Sequence, residues 1–284
     1  MSAALTPLPS LALTAGKQQV AQRFGRAAKS YQQHNELQQR CAQELLQLLP
    51  AKVGQVIDLG CGPAVNTMAL VARSTGYLGV DIAPEMIAEA QRQVRSVEHQ
   101  HTAVNWLIAD AESLPLPAAS VDTIFANLSL QWVGDLVATI NQFHGLLRAQ
   151  GCLVFSTLLE GSMLPLGAEL QVLQGGQWSH RQFYSETELQ QLLAALPGWQ
   201  LEFKRLPVTI MNDSVLAMLK DLQGIGATYR GDVNRWQHQA QLPSVLSKSK
   251  LQALQDKMAK YRNEQGRLPL HWQVALVKMT KQTD

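Results

Sequence analysis

Between residues 53 and 157 short apolar runs alternate with segments whose apolar positions recur every three or four residues. The runs Val53–Leu59, Tyr77–Ile82, Val104–Ala109, Val121–Ala126 and Cys152–Thr157 read as strands. Between them Thr67–Arg73, Pro84–Val97 and Asp135–Leu147 read as helices, the last stopped by Gly151. Strands separated by helices imply right-handed crossovers and a parallel sheet. Beyond Thr157 the rhythm changes. Ser185–Leu196 reads as a helix, with Ser185 as cap and Glu188 three residues on in a capping-box pattern. Leu201–Thr209 reads as a strand, Val215–Leu222 and Val245–Arg262 as helices, and Pro269 introduces a last strand, His271–Met279.

Upstream, residues 17–50 read as helix in two pieces. In the second, Leu37, Cys41, Leu45 and Leu48 fall at helical spacing and Pro50 closes it. Residues 1–16 contain Pro7 and Pro9 and no basic stretch, so they read as a flexible extension, not a signal or anchor. The pattern predicts one α/β domain over residues 17–284. Residues 17–50 would form a helical lid, and residues 210–265 a helical insertion completing the cap.

Composition narrows the class. A chain of 284 residues, 46% hydrophobic and 16% charged, is that of a soluble globular protein. A net charge of +2 gives no reason to expect nucleic-acid binding. No apolar run approaches the ~20 residues of a membrane helix. Three cysteines without paired spacing point to a reducing cytoplasm. The seven histidines are scattered, and His99 and His101 have no third ligand nearby, so no metal site is expected.

The chemistry concentrates at Val56–Thr67, VIDLGCGPAVNT, a strand running into glycines ahead of a helix. Such a turn brings backbone N–H groups to a ligand. A dinucleotide turn would place a third glycine where Val65 stands, and a P-loop would need a Lys-Ser or Lys-Thr pair where Asn66-Thr67 stands. Asp58 would also repel a pyrophosphate. The turn suits a nucleoside that carries positive charge. Asp58, Asp81, Asp110 and Asn127 fall at the carboxyl ends of successive predicted strands, the edge where open parallel sheets bind ligands. Asp81 stands about 20 residues past the turn, where a carboxylate takes ribose hydroxyls. Asp110 could accept from an exocyclic amine.

DLGCG, GVDIAPEMI, ADAESLPL and ANLSLQWV together resemble the class I S-adenosylmethionine-dependent methyltransferases, with their Rossmann-like, mostly parallel seven-stranded sheet flanked by helices. The resemblance implies S-adenosylmethionine as cofactor. It sets Asp58 near the methionine amino group and Gly60 and Gly62 against the methionyl part. Asp81 would take the ribose hydroxyls, Ile82 and Met86 flank the adenine, Asp110 and Ala111 meet its edge, and Asn127 meets the methionine end. Many relatives continue GCG-x-G, whereas here the third place is Ala64, a change expected to cost little sterically.

RFGRAAKSYQQHNELQQR, LKDLQGIGATYRGD and QGRLPLHWQVALV extend the likeness to the malonyl-acyl-carrier-protein O-methyltransferases of biotin synthesis, the BioC family. That resemblance implies methyl transfer to the free carboxylate of a malonyl thioester, on the carrier protein or on coenzyme A, to start a pimeloyl chain. Such a carboxylate is already ionised near neutrality, so no general base is needed and none is apparent. Alignment would carry the rate, with Phe24 and Tyr31, on the first predicted helix, as lid and Gln131 and Trp132 as floor. An acidic carrier protein would meet Lys248, Lys250, Lys257, Lys260 and Arg262, to which the first helix adds Arg23, Arg26 and Lys29 near the lid. Nucleic acid and membrane are not expected partners. Two readings stay open on the residues alone: another small acceptor, such as a free dicarboxylic acid or a quinone precursor, and a module that binds cofactor without turnover.

Overall fold

The computed structural model describes residues 13–94, 102–173, 183–225 and 247–283. The strands are β1 (Gly54–Leu59), β2 (Ser74–Asp81), β3 (Ala103–Ile108), β4 (Val121–Asn127), β5 (Leu147–Leu158), β6 (Trp199–Asn212) and β7 (Leu268–Lys281). They form one sheet in the order β3-β2-β1-β4-β5-β7-β6. β1 to β5 are parallel, and β7 runs antiparallel to both β5 and β6. This is the Rossmann-like, mostly parallel seven-stranded sheet of the class I methyltransferases. The strand order reverses between β1 and β4, and that switch point opens a crevice at the carboxyl edge.

The helices are α1 (Ala15–Ala27), α2 (Glu36–Gln47), α3 (Thr67–Val71), α4 (Pro84–Val94), α5 (Leu136–Leu146), α6 (Leu166–Leu173), α7 (Glu186–Ala194), α8 (Val215–Gly224) and α9 (Lys248–Met258). They cover both faces of the sheet, which is why its central strands are apolar almost throughout. In β1 the period of two sends Val56 to one layer and Ile57 and Leu59 to the other. The first layer packs Leu45 of α2, Leu170 of α6, Met218 of α8 and Leu254 of α9 against Val56, Tyr77 and Phe125. The second packs Ile140 and Phe143 of α5 and Leu189 and Leu193 of α7 against Ile57, Val80 and Ile124.

Local chemistry sets the helix starts. Asp135 caps α5 by accepting from Ala138 N at 2.9 Å. The expected capping box at α7 is formed: Glu188 N donates to Ser185 Oγ, and Ser185 N donates back to the Glu188 carboxylate.

Several boundaries differ from those the sequence predicts. The helix expected through Leu147 ends at Leu146, and β5 begins with the next residue, so Gly151 does not stop it. Val121 pairs with Leu147 and Thr123 with Cys152, so residues 148–151 bulge from the ladder. A Cβ on Gly151 would lie 2.9 Å from two carbonyl oxygens, and glycine alone lets the bulge close. The helix expected over Thr67–Arg73 stops at Val71. β6 and β7 exceed their expected spans because they pair continuously from Trp199 opposite Lys281 to Asn212 opposite Leu268. α6 was not expected. Tyr31 is not on the first helix but opens a separate 3-10 turn, because Ala27 O takes the Ser30 N–H and hydroxyl and ends α1. The extension expected over residues 1–16 is helical from Ala15, capped by Thr14. Residues 1–12, Val97, His99, His101, Val245 and most of GIGATYRGD lie outside the described residues.

Candidate active site

The glycine turn after β1 wraps around the end of β2. Gly60 N and Cys61 N both donate to Val80 O, at 2.8 and 3.0 Å. Gly60 has φ +69°, and a Cβ there would stand 2.5 Å from the Cβ of Ser129. Gly62 has φ +54° with no atom within 4 Å of where a Cβ would point, so its backbone faces open space. Ala64 has φ +68°, the left-handed region that only glycine enters without strain. The alanine expected to cost little therefore does carry a cost, because its Cβ meets its own backbone.

Asp81 closes the turn from β2. Gly62 N donates to its Oδ2 at 3.0 Å and Ala83 N to its Oδ1 at 2.9 Å. Burial pushes its carboxyl up to about 6 against these stabilising N–H bonds. Asp58, inside β1, faces the other way. It is almost fully buried and accepts from the Tyr77 hydroxyl at 2.8 Å, while Tyr77 also contacts Thr67 Oγ1 at 2.8 Å. Burial pushes Asp58 up to about 7, the Tyr77 bond lowers it, and the Asp81 charge adds to the rise.

In front of the turn lies a cavity partly open to solvent. The fold brings eleven of the thirteen expected site residues to its wall. Gly60, Gly62 and Asp81 lie on one side, with Ile82 and Met86 beside them, Asp110 and Ala111 after β3, and Asn127 after β4. Phe24, Tyr31 and Trp132 cover it, the Phe24 and Trp132 rings meeting edge to face at 5.4 Å. Asp58 and Gln131 are not on the wall. Asp58 lies under the turn, and Gln131 turns back to donate to Leu128 O at 2.9 Å. Asn127 donates to Gln38 O of α2 at 2.9 Å and accepts from Ser156 Oγ at 2.8 Å, tying the lid side to the sheet. Tyr31 stays a neutral hydroxyl: burial raises its pKa, and the Asp81 and Asp58 charges raise it further.

Eight residues of this wall escaped the sequence reading, and one of them, Lys17, is charged. Lys17, on α1, enters the cavity and pairs with both Asp110 and Glu112. Its signal was its place two helical turns before Phe24, on the same helix face.

Residues 57–155 match the family model of the methyltransferase domain. The chain is 34% identical over 259 residues to the malonyl-acyl-carrier-protein O-methyltransferase of Pectobacterium atrosepticum, covering 91% of this chain and 94% of that one. It is 33% identical to the enzyme of the same name from Enterobacter lignolyticus, covering 93% and 98%. The chain belongs to the malonyl-acyl-carrier-protein O-methyltransferase family. Solved structures agree on the fold. A methyltransferase from Bacillus halodurans superposes with TM-score 0.58 at 14% identity, over 85% of this chain and 99% of that one. A phosphoethanolamine N-methyltransferase from Haemonchus contortus gives 0.57 at 13%, over 98% and 62%.

As a member of this methyltransferase family the chain uses S-adenosylmethionine, and the wall suits that group. Asp81 has spent two of its roughly four lone-pair positions on backbone N–H groups, leaving acceptors for a pair of hydroxyls. Leu59, Val80, Ile82 and Met86 give an apolar surface for a purine. The open space at Gly62 allows an approach to backbone, and the buried carboxylates of Asp58 and Asp81 match a cation. S-adenosylmethionine supplies a methyl group on positively charged sulfur, which an anionic oxygen can take without a proton changing hands.

Proposed function

We propose that this protein methylates the free carboxylate of malonyl-acyl-carrier protein, the reaction for which its relatives are named, and so starts the pimeloyl chain of biotin in the cytoplasm. The observation that carries this reading is the reach of the likeness. It spans over 90% of the chain, well beyond residues 57–155, and so includes the segments around the acceptor side of the cavity. The chemistry of the wall supports it. No histidine or cysteine is among the described residues that line the cavity. Tyr31 is held protonated, and Asp81 and Asp110 are committed to backbone N–H groups and to Lys17. A site without a poised base suits an acceptor that arrives already ionised.

In this reading Asp81 takes the ribose hydroxyls, Ile82 and Met86 flank the adenine, and Asp110 and Ala111 meet its edge. Gly60, Gly62 and Asn127 contact the methionyl part, and Asp58 contributes negative charge from beneath the turn. Phe24, Tyr31 and Trp132 exclude water and align the acceptor, Tyr31 as a hydroxyl donor to its carboxylate, while Gln131 braces the Leu128 backbone. Residues 17–284 act as one domain, with α1, α2, α8 and α9 serving as its cap. The carrier protein docks on the exposed lysines at the start of α9. Esterification gives the malonyl end an uncharged tip, which can enter an apolar acyl tunnel that would reject an ion.

Mass spectrometry tests the assignment. Malonyl-acyl-carrier protein incubated with enzyme and S-adenosylmethionine should gain the mass of a methyl in place of a proton, removable by ester hydrolysis. Methylation of free malonate or of a phenolic acceptor, with none on the carrier protein, would overturn it.

A further inference from the structure

α1 spans the cavity by one face. Lys17, Val20 and Phe24 recur at i, i+3 and i+7, which stacks their side chains on one side of the helix, and all three line the cavity. Phe24 anchors one end on the Trp132 ring. At the other end the Lys17 ammonium bridges the carboxylates of Asp110 and Glu112, with the three side chains 18%, 14% and 21% exposed. Of the thirteen residues of α1 only Val20, Ala21 and Ala27 are buried, so apolar packing alone holds the helix weakly.

The two carboxylates are positioned without the lysine. Glu112 N donates to Asp110 Oδ1 at 3.0 Å, and Asp135 N donates to Glu112 Oε1 at 3.0 Å. Anions fixed side by side in partial burial repel one another and favour a shared cation. Burial works against the Glu112 charge, yet Lys17 and the N–H groups of Asp135 and Gly134 outweigh it and hold its carboxyl below the usual range. Lys17 is the one cation among the described residues that line the cavity. The Asp110 oxygen it contacts can accept a second donor, so the lysine and an adenine amine can share it.

We propose that Lys17 is a positioning residue that retains the cofactor: while its ammonium sits on Asp110 and Glu112, α1 stays closed over the adenosyl end of bound S-adenosylmethionine or its demethylated product, and this clasp must open before either leaves. The inference rests on the reading that lays the adenosyl group between Asp81 and Asp110.

The test is the release rate of S-adenosylhomocysteine from the full-length chain. Lys17→Met keeps the apolar stem and removes the charge, and should speed release about tenfold, the loss of a charge-assisted bond, without slowing association. Release from the wild type should accelerate with salt and that from Lys17→Met should not. Lys17→Arg should restore slow release. Glu112→Gln should also speed release, and adding Lys17→Met to it should do little more. Unchanged release from Lys17→Met would overturn the clasp. Slower release would also overturn it, by making Lys17 a competitor of the cofactor for Asp110. Asp81→Ala reports on the underlying reading. If it binds the product as the wild type does, the adenosyl group is elsewhere and both inferences fall, whereas a weakened Asp81→Ala with an unaltered Lys17→Met removes the clasp alone.

Discussion

The Tyr77 hydroxyl donates to the Asp58 carboxylate at 2.8 Å beneath the glycine turn, so the buried acid is braced from β2 rather than left facing the cavity. Burial still pushes Asp58 up to about 7 and Asp81 up to about 6, against an ordinary value near ~4. Both pKa values are raised, so the folded protein binds more protons than the unfolded chain between pH ~4 and ~7. Stability of the ligand-free protein therefore falls as pH rises through that window. A cationic cofactor favours the ionised carboxylates, so its affinity should move the other way, rising several-fold between pH ~5.5 and ~7.5 and then levelling. S-adenosylhomocysteine, which lacks the sulfonium charge, should respond less, and Asp58→Asn should flatten the response. Calorimetry across pH measures each directly, and an affinity for S-adenosylmethionine that ignores pH would refute the role of the two acids.

Asp81 has a second task that sharpens its own prediction. It holds Gly62 N and Ala83 N while offering its remaining lone pairs to ribose. Asp81→Ala should weaken cofactor binding by roughly 1.5–3 kcal/mol, as for hydrogen bonds to a charged group. Asp81→Asn keeps one acceptor oxygen and should lose less. Equal losses in titrations of the two variants would mean that turn geometry, not hydroxyl recognition, is what Asp81 provides.

Much of the cavity wall was readable because its residues are tied to strand ends. Asp81 ends β2 and Asn127 ends β4, and a strand that terminates in a parallel sheet delivers its last side chain to the ligand edge. Asp58 lies off the wall because a strand alternates faces: one residue inside β1, it points with Val56, toward Tyr77, while its neighbours point the other way. Lys17 and α6 were missed for a different reason. Lys17 meets Asp110 and Glu112 only when α1 folds over residues far along the chain. α6 is eight residues long, with Pro165 just before it and Gly167 within it. Glu169 ties it to the turn that follows α9, accepting from Tyr261 at 2.9 Å and pairing with Lys260 at 2.8 Å. Tertiary contacts of that kind leave no local periodicity.

Ala64 gives a stability prediction. A left-handed alanine costs about 1–2 kcal/mol, against which glycine adds about 0.5–1 kcal/mol of unfolded-state entropy. Ala64→Gly should therefore stabilise the protein by about 0.5–1 kcal/mol, seen as a raised urea midpoint with unchanged slope. Because Ala64 N donates to Cys61 O at 3.2 Å, the turn should keep its shape and cofactor affinity should change little. A destabilised variant would show that the alanine methyl packs usefully.

Tyr31 separates alignment from acid–base work. Burial and the nearby Asp81 and Asp58 charges keep it protonated through the working range, so it can donate a hydrogen bond and not remove a proton. The single-turnover rate at saturating cofactor and acceptor should stay level from pH ~6 to ~8.5. Tyr31→Phe should lower that rate about ten- to a hundredfold, the scale of lost positioning, without giving it a pH dependence. A rate that follows one ionisation near neutrality in the wild type would require a base and a different acceptor.

The basic residues of α9 and of the turn after it divide by their partners, and the division selects the variants that test carrier docking. Lys260 is paired with Glu169, and Arg262 bonds Gly266 O and Asp213 O, so these two hold α9 and the following turn in place. Lys248 and Lys250 are exposed in the first turn of α9, behind the Ser247 cap. A helix N-terminus disfavours cations by a few tenths of a kcal/mol each, so their presence there does nothing for the fold and suits an acidic partner. Lys248→Glu with Lys250→Glu should leave α9 as stable or more so, since carboxylates complement its dipole. The pair should weaken apparent affinity for malonyl-acyl-carrier protein roughly five- to tenfold at low salt, about what two rim charges supply, with the difference fading as salt is added. Turnover of malonyl-coenzyme A should not change. Lys260→Glu, which faces Glu169, should instead lower thermal stability and act on both substrates alike. If the double reversal also weakens both substrates equally, the carrier protein docks elsewhere and these lysines serve the site itself.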